Sequence, residues 1–210
     1  MKTLPNCWAD AWRDLGLRPP ADDTLASLLA HWAQAHRRYH TLQHLRECLA
    51  LFDAHRALAE HPGEVALAVW FHDAVYDTSR HDNEAVSADW AARVLARTGA
   101  VVEVVERVRA LIMATRHRHR HRQRPATPDE RLLVDIDLAI LGAAPTRFAE
   151  YERQIRDEYG FVAEALFREK RGEILRGFLE RPALFATPAL SDRFEAAARQ
   201  NLAQAIAALG

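Results

Sequence analysis

Strict alternation of apolar and polar residues, the mark of a half-buried strand, is nearly absent from this chain. Apolar positions instead fall into blocks separated by Pro, Gly, Asp and Asn punctuation, which predicts a succession of helices. A short first helix containing Trp8 and Trp12 is stopped by Pro19-Pro20, and Asp22-Asp23-Thr24 caps a second running to about 35. A long helix is expected over 41–59, closed by His61-Pro62-Gly63, and another over 64–76. After a polar loop, Asn83 is the expected cap of a helix to about 97, with Thr98-Gly99 ending it. Further helices are expected over 101–117, 128–141, 145–159, 162–180 and 191–208.

Composition supports this reading. Ala, Leu, Arg and Glu dominate, all strong helix formers, and Gly occurs only 8 times. The expectation is an all-α chain forming one domain over 1–210, with a core at about 32–142 and C-terminal helices at about 145–210. At 210 residues such a chain buries a sizeable core without disulfides or a structural metal. Its net charge of −1 argues against a generally basic nucleic-acid coat. No apolar run approaches the roughly 18 residues of a membrane span, and the start of the chain lacks signal-peptide architecture. Cys7 and Cys48 have no metal-type spacing and read as reduced thiols, so a cytoplasmic location is expected.

Candidate chemistry is concentrated in histidines and aspartates. Four of the 11 His stand at 31, 36, 40 and 44. His72-Asp73 directly follows the apolar run Val65 to Phe71, where two polar groups would carry a desolvation cost that a metal offsets. Asp77 lies four residues beyond Asp73, on the same side if the helix continues. Downstream, Asp135 and Asp137 interrupt the apolar stretch LLVDIDLAILG, and buried Asp is rare unless paired or ligating. Residues two apart on a helix project about 200° apart, so only one can face a shared site. The Asp137 face carries Leu133, Ile140 and Leu141 and the Asp135 face Leu132, Ile136 and Ala139, a slight preference for Asp137; Asp135 stands as the alternative. Imidazole with carboxylate suits Mn, Fe, Co, Ni or Zn better than Ca, and leaves room for Mg.

These residues are arranged as H…HD…D, and the chain resembles the HD superfamily of metal-dependent phosphohydrolases. The phrases RxYHxxxH, FHDxVYD, DNExxSA, DIDLxILG and YxxxIRxEY occur in this order from about 32 to 182. They are similar to a subgroup described only as predicted metal-dependent HD hydrolases. The resemblance implies an all-α HD-domain bundle binding one divalent metal through His44, His72, Asp73 and Asp137. It also implies phosphoester or phosphoanhydride hydrolysis of a small phosphorylated substrate, a nucleotide or related compound. HDAVYDT resembles the HDxxEDT phrase of guanosine-tetraphosphate hydrolases; Tyr76 replaces its Glu, so Asp77 alone carries over as a proton-transfer or water-positioning candidate. Glu84, in DNExxSA, is the second catalytic candidate, with a helix-dipole partner as its plainer reading. Arg38, His40 and Arg156 are candidates for holding substrate phosphate.

Two other readings remain open at this stage. HD-type bundles with two irons perform oxygenation, and His117, His119 or His121 within RHRHRHRQR could supply ligands to a second metal. A catalytically silent nucleotide-binding or interaction module would keep the fold without turnover. Nucleic acid and membrane are not expected as partners, whereas homodimerisation is compatible with a helical bundle of this size.

Overall fold

A computed structural model describes residues 2–116 and 126–210; the stretch 117–125, with most of RHRHRHRQR, lies outside the described residues. Among the described residues every regular element is helical: α1 (Leu4–Asp14), α2 (Thr24–Trp32), α3 (Leu42–His55), α4 (Pro62–Phe71), α5 (Asn83–Arg97), α6 (Val102–Ala114), α7 (Pro128–Leu138), α8 (Pro145–Glu158), α9 (Glu164–Leu179) and α10 (Pro188–Leu209). Short 3₁₀ turns, Arg56–Leu58 and Ala139–Gly142, extend α3 and α7. No helix of the described residues is long and apolar enough to cross a membrane. The all-α expectation therefore holds. The described residues group into two compact units, 2–116 with 126–134, and 135–210.

The first unit is organised around α4. Every residue of α4 from Gly63 to Phe71 is buried, as expected for a helix that is apolar on all sides. It packs against α1, α3, α5 and α6. Trp8 meets Trp12 and Trp70 edge-on at 5.4 and 5.3 Å, which fixes α1 on α4. Gly63 allows this approach, because a Cβ there would lie 2.7 Å from the Leu15 backbone nitrogen. The start of α4 is held electrostatically. Asp129 accepts hydrogen bonds from the backbone N–H groups of Glu60 and His61 at 2.7 and 2.9 Å, and Glu64 takes a two-pronged ion pair from Arg107 of α6.

α4 ends at Phe71, about five residues earlier than the sequence pattern suggests. The segment after it surrenders its carbonyls to side chains of residues 31–37 instead of continuing the helical ladder. Likewise α2 stops at Trp32 and α3 begins at Leu42, so His36, Arg37, Arg38 and His40 lie on irregular backbone between them. Asp82 occupies the cap position expected for Asn83, whose side chain instead brackets Asp77.

In the second unit α10 packs on α9 and on the 3₁₀ turn Ala139–Gly142, and α8 packs on the same turn. Asn201 of α10 donates to the carbonyls of Leu141 and Ala143 at 2.8 and 2.9 Å, satisfying acceptors where that turn ends.

Candidate metal centre

Three side chains of the first unit converge beside the end of α4. His44 on α3 and His72 at the C-terminal cap of α4 are buried, and their Nε2 atoms lie 3.2 Å apart. The Asp73 Oδ2 atom is 3.2 Å from His72 Nε2 and 3.8 Å from His44 Nε2. The ligand atoms of these three residues all lie within 4.8 Å of one another. The two imidazoles are about 3% exposed, whereas the Asp73 side chain is 17% exposed, so the cluster is sealed on its imidazole side and accessible beside the carboxylate.

The tautomer of His72 follows from its neighbour. Its Nδ1 lies 2.9 Å from the Val69 carbonyl, which can only accept, so Nδ1 carries the proton. The Nε2 lone pair of neutral His72 therefore points into the cluster, the arrangement a ligating histidine requires. Ligand atoms each ~2.1 Å from a shared ion lie ~3.0–3.4 Å apart at right-angled to tetrahedral coordination, which brackets both 3.2 Å separations. Nitrogen and carboxylate donors fit a divalent transition metal, so this group could hold a metal ion. Cys48 Sγ, 3.7 Å from both His44 ring nitrogens, packs beneath that imidazole.

The segment carrying Asp73 is held by a set of side chains that the sequence did not single out for this purpose. Arg37, almost fully buried, donates to the Asp73 carbonyl at 2.6 Å, to the Ala74 carbonyl at 3.0 Å and to the His40 carbonyl at 3.2 Å. Its guanidinium lies 5.5 Å from the ring centroids of both Trp32 and Tyr76. His31 Nδ1 bonds the Ala74 carbonyl, His36 Nε2 the Tyr76 carbonyl, and Trp32 Nε1 the Trp70 carbonyl. Ser87 of α5 accepts from the Val75 N–H at 3.0 Å. The signal for this clamp was present as a spacing of His and Arg through 31–37, and the Arg of the phrase RxYHxxxH is Arg37, whereas the expectation fell on Arg38.

Other candidates fall in several places. Asp135 is buried, and both carboxylate oxygens are engaged by the Ala186 and Thr187 N–H groups at 2.5–3.0 Å, at the N-terminus of α10. Burial pushes its carboxyl above the usual range, and those N–H groups offset this only in part. Asp135 thus serves the second unit as a helix-terminus acceptor. Asp77 is exposed, because α4 does not continue to it. Its Oδ1 accepts from the Ser79 hydroxyl and N–H, which holds its carboxyl below the usual range. It builds a turn with Asn83 and is not a member of the His44–His72–Asp73 cluster. Glu84 sits half-buried in the first turn of α5, the position that favours the helix dipole.

Of the phosphate candidates, Arg38 is exposed directly beside the buried Arg37. His40, not on α3, stacks on Tyr76 with centroids 4.0 Å apart and meets His44 edge-on at 5.9 Å. Arg156 is in the second unit, where it donates to the carbonyls of Tyr159 and Val162 and pairs with Glu164, fastening the loop between α8 and α9. His117, His119 and His121 lie outside the described residues. Comparison of the chain with protein-family models, curated proteins and solved structures finds no match.

Proposed function

We propose that this chain is a metal-dependent phosphohydrolase acting on a small phosphorylated substrate, a nucleotide or a related compound, in the cytoplasm. The observation that carries this reading is the convergence of His44 Nε2, His72 Nε2 and Asp73 Oδ2 at 3.2–3.8 Å in a partly sealed site. The ordered phrases that resemble HD hydrolases support it from the sequence side. His44, His72 and Asp73, with Asp137 expected from the sequence as the fourth ligand, would hold one divalent ion of the Mn, Fe, Co, Ni, Zn or Mg group. When bound, the ion supplies Lewis-acid polarisation of a phosphoryl oxygen and acidifies a coordinated water.

The protein's own contribution is positioning. His72 is fixed in tautomer and direction by the Val69 carbonyl, and the backbone of Asp73 by Arg37. A carboxylate whose backbone is fastened on both sides presents its oxygen without reorganising. The exposed edge of Asp73 leaves an approach for substrate. Arg38 is the cation of choice for meeting substrate phosphate there, and the His40–Tyr76 stack offers a flat polar surface near the cluster. Asp77 and Glu84 are the carboxylates for handling a proton or orienting water; the lowered pKa of Asp77 suits it to accept a hydrogen bond rather than to donate a proton.

The test is phosphate and pyrophosphate release from a panel of nucleotides and phosphate esters. Metal-stripped protein is reloaded with each metal singly, and Asp73→Asn is the control. Metal-dependent release that disappears in Asp73→Asn is expected. No release by the intact chain with any metal would sink the proposal.

A further inference from the structure

Helix α5 carries a second stripe besides its buried face. Ser87, Ala88, Ala91, Val94 and Leu95 are buried, but Val86, Trp90, Arg93 and Arg97, spaced 4, 3 and 4 residues apart, line up on another side. This stripe forms one wall of a groove of about 660 Å³ in the first unit, closed by His31 of α2 and by Val75. That volume is in the range of small-molecule sites, about 300–1,000 Å³.

The lining divides chemically. Val86, Val75 and Trp90 make an apolar and aromatic end, with Trp90 half-buried and edge-on to His31 at 4.8 Å and to Phe71 at 5.8 Å. One and two helical turns onward, the exposed Arg93 and Arg97 make a cationic end, and among the described residues no acidic side chain lines the groove. Arg97 pairs with Asp22 at 3.2 Å, but both groups are about half exposed, and such a pair contributes little and exchanges readily. Arg93 forms no ion pair among the described residues. The aromatic wall and the paired guanidinium groups therefore call for a ligand with a flat apolar body at one end and an anionic group at the other.

We propose that this groove is a binding site for a small planar aromatic anion, separate from the His44–His72–Asp73 cluster. The site does not depend on the phosphohydrolase reading. His31 links the two regions, since its ring borders the groove while its Nδ1 holds the Ala74 carbonyl next to Asp73. A ligand in the groove would rest against the back of the segment that presents Asp73.

The probe is anilinonaphthalene sulfonate, which has this chemistry, titrated into the full chain and followed by its fluorescence. The expected result is one saturable site, weakened at least tenfold in Arg93→Gln/Arg97→Gln. It should be unchanged in Asp73→Asn and in the charge-matched control Arg18→Gln/Arg153→Gln, which alters exposed arginines elsewhere. The groove double variant, altered only at exposed side chains, should melt with the parent and keep any phosphohydrolase activity. Three outcomes would overturn the proposal: no saturable site, equal affinity in Arg93→Gln/Arg97→Gln, or loss of binding in Asp73→Asn, which would assign the probe to the metal cluster. Failure of phosphate release alone leaves this site standing.

Discussion

His44 and His72 face each other through their Nε2 atoms at 3.2 Å. The His72 nitrogen presents a lone pair, since the proton of that ring sits on the side of Val69. In neutral His72 this nitrogen is an acceptor, and the Asp73 carboxylate 3.2 Å away is another, so the point between them calls for a proton or a cation. Titration with Mn or Co should therefore give one tight equivalent per chain. Loss of His72 in His72→Ala, or of charge in Asp73→Asn, should weaken binding by a hundredfold or more, as read by calorimetry. Undiminished binding in both variants would place the ion elsewhere.

Arg37 should matter more than its exposed neighbour Arg38. Removing its guanidinium leaves the carbonyls of Asp73 and His40 without this donor inside the protein. Arg37→Met should cost about 3 kcal/mol in chemical denaturation and also lower metal affinity. Arg38→Met should change stability by no more than about 0.5 kcal/mol and act only on substrate KM.

The two aspartates of α7 should separate cleanly. Asp137→Asn should weaken metal binding with little loss of stability. Asp135→Ala should unfold the second unit more easily, by about 2 kcal/mol for the lost acceptor at the start of α10, while metal stoichiometry stays unchanged.

Asp135 also gives a pH signature. Burial raises its folded pKa above the unfolded value, so the folded state holds this proton more tightly. Its protonation-linked contribution to stability is full below the ordinary carboxylate pKa. It declines as pH rises from there through the raised value. The difference in melting temperature between parent and Asp135→Ala should accordingly be larger at the acidic end of that window and smaller above it. A difference that grows with pH would contradict this.

Gly63→Ala should be among the costliest single-methyl changes in the first unit. The added Cβ would meet backbone atoms of Asp14 and Leu15 at 2.7–2.9 Å, which cannot swing aside as a side-chain tip can. A loss of about 2–3 kcal/mol is expected from denaturant midpoints.

Much of this architecture could be read from the chain. The helical class and most helix positions followed from punctuation, and α5 ends where its Thr-Gly signal stands. His44, His72 and Asp73 were nominated by residue type and order, and they come together within the first unit. What escaped were choices between neighbours. Arg37 and Arg38 are identical in chemistry, so residue type alone did not tell which one turns inward, although the Arg of the phrase RxYHxxxH is Arg37. Asp135 and Asp137 differ by a rotation of about 200° on one helix, and hydrophobic neighbours distinguished them only weakly. Asp77 was tied to Asp73 by assuming that α4 continued. That helix ends at Phe71, where side chains from 31–37 compete for the carbonyls of Trp70, Asp73, Ala74 and Tyr76.

This last competition bears on how the protein comes to be folded. The backbone around Asp73 is not a local structure, since its bonds to His31, His36 and Arg37 span 36 to 43 residues of chain. Contacts of that separation form only after the intervening loop has closed. The segment should therefore be among the late parts of the first unit to acquire its shape, after α4 is already packed. A fragment beginning beyond Arg37 would still contain His44, His72 and Asp73, yet it would lack the side chains that turn three ligand-type residues into one site.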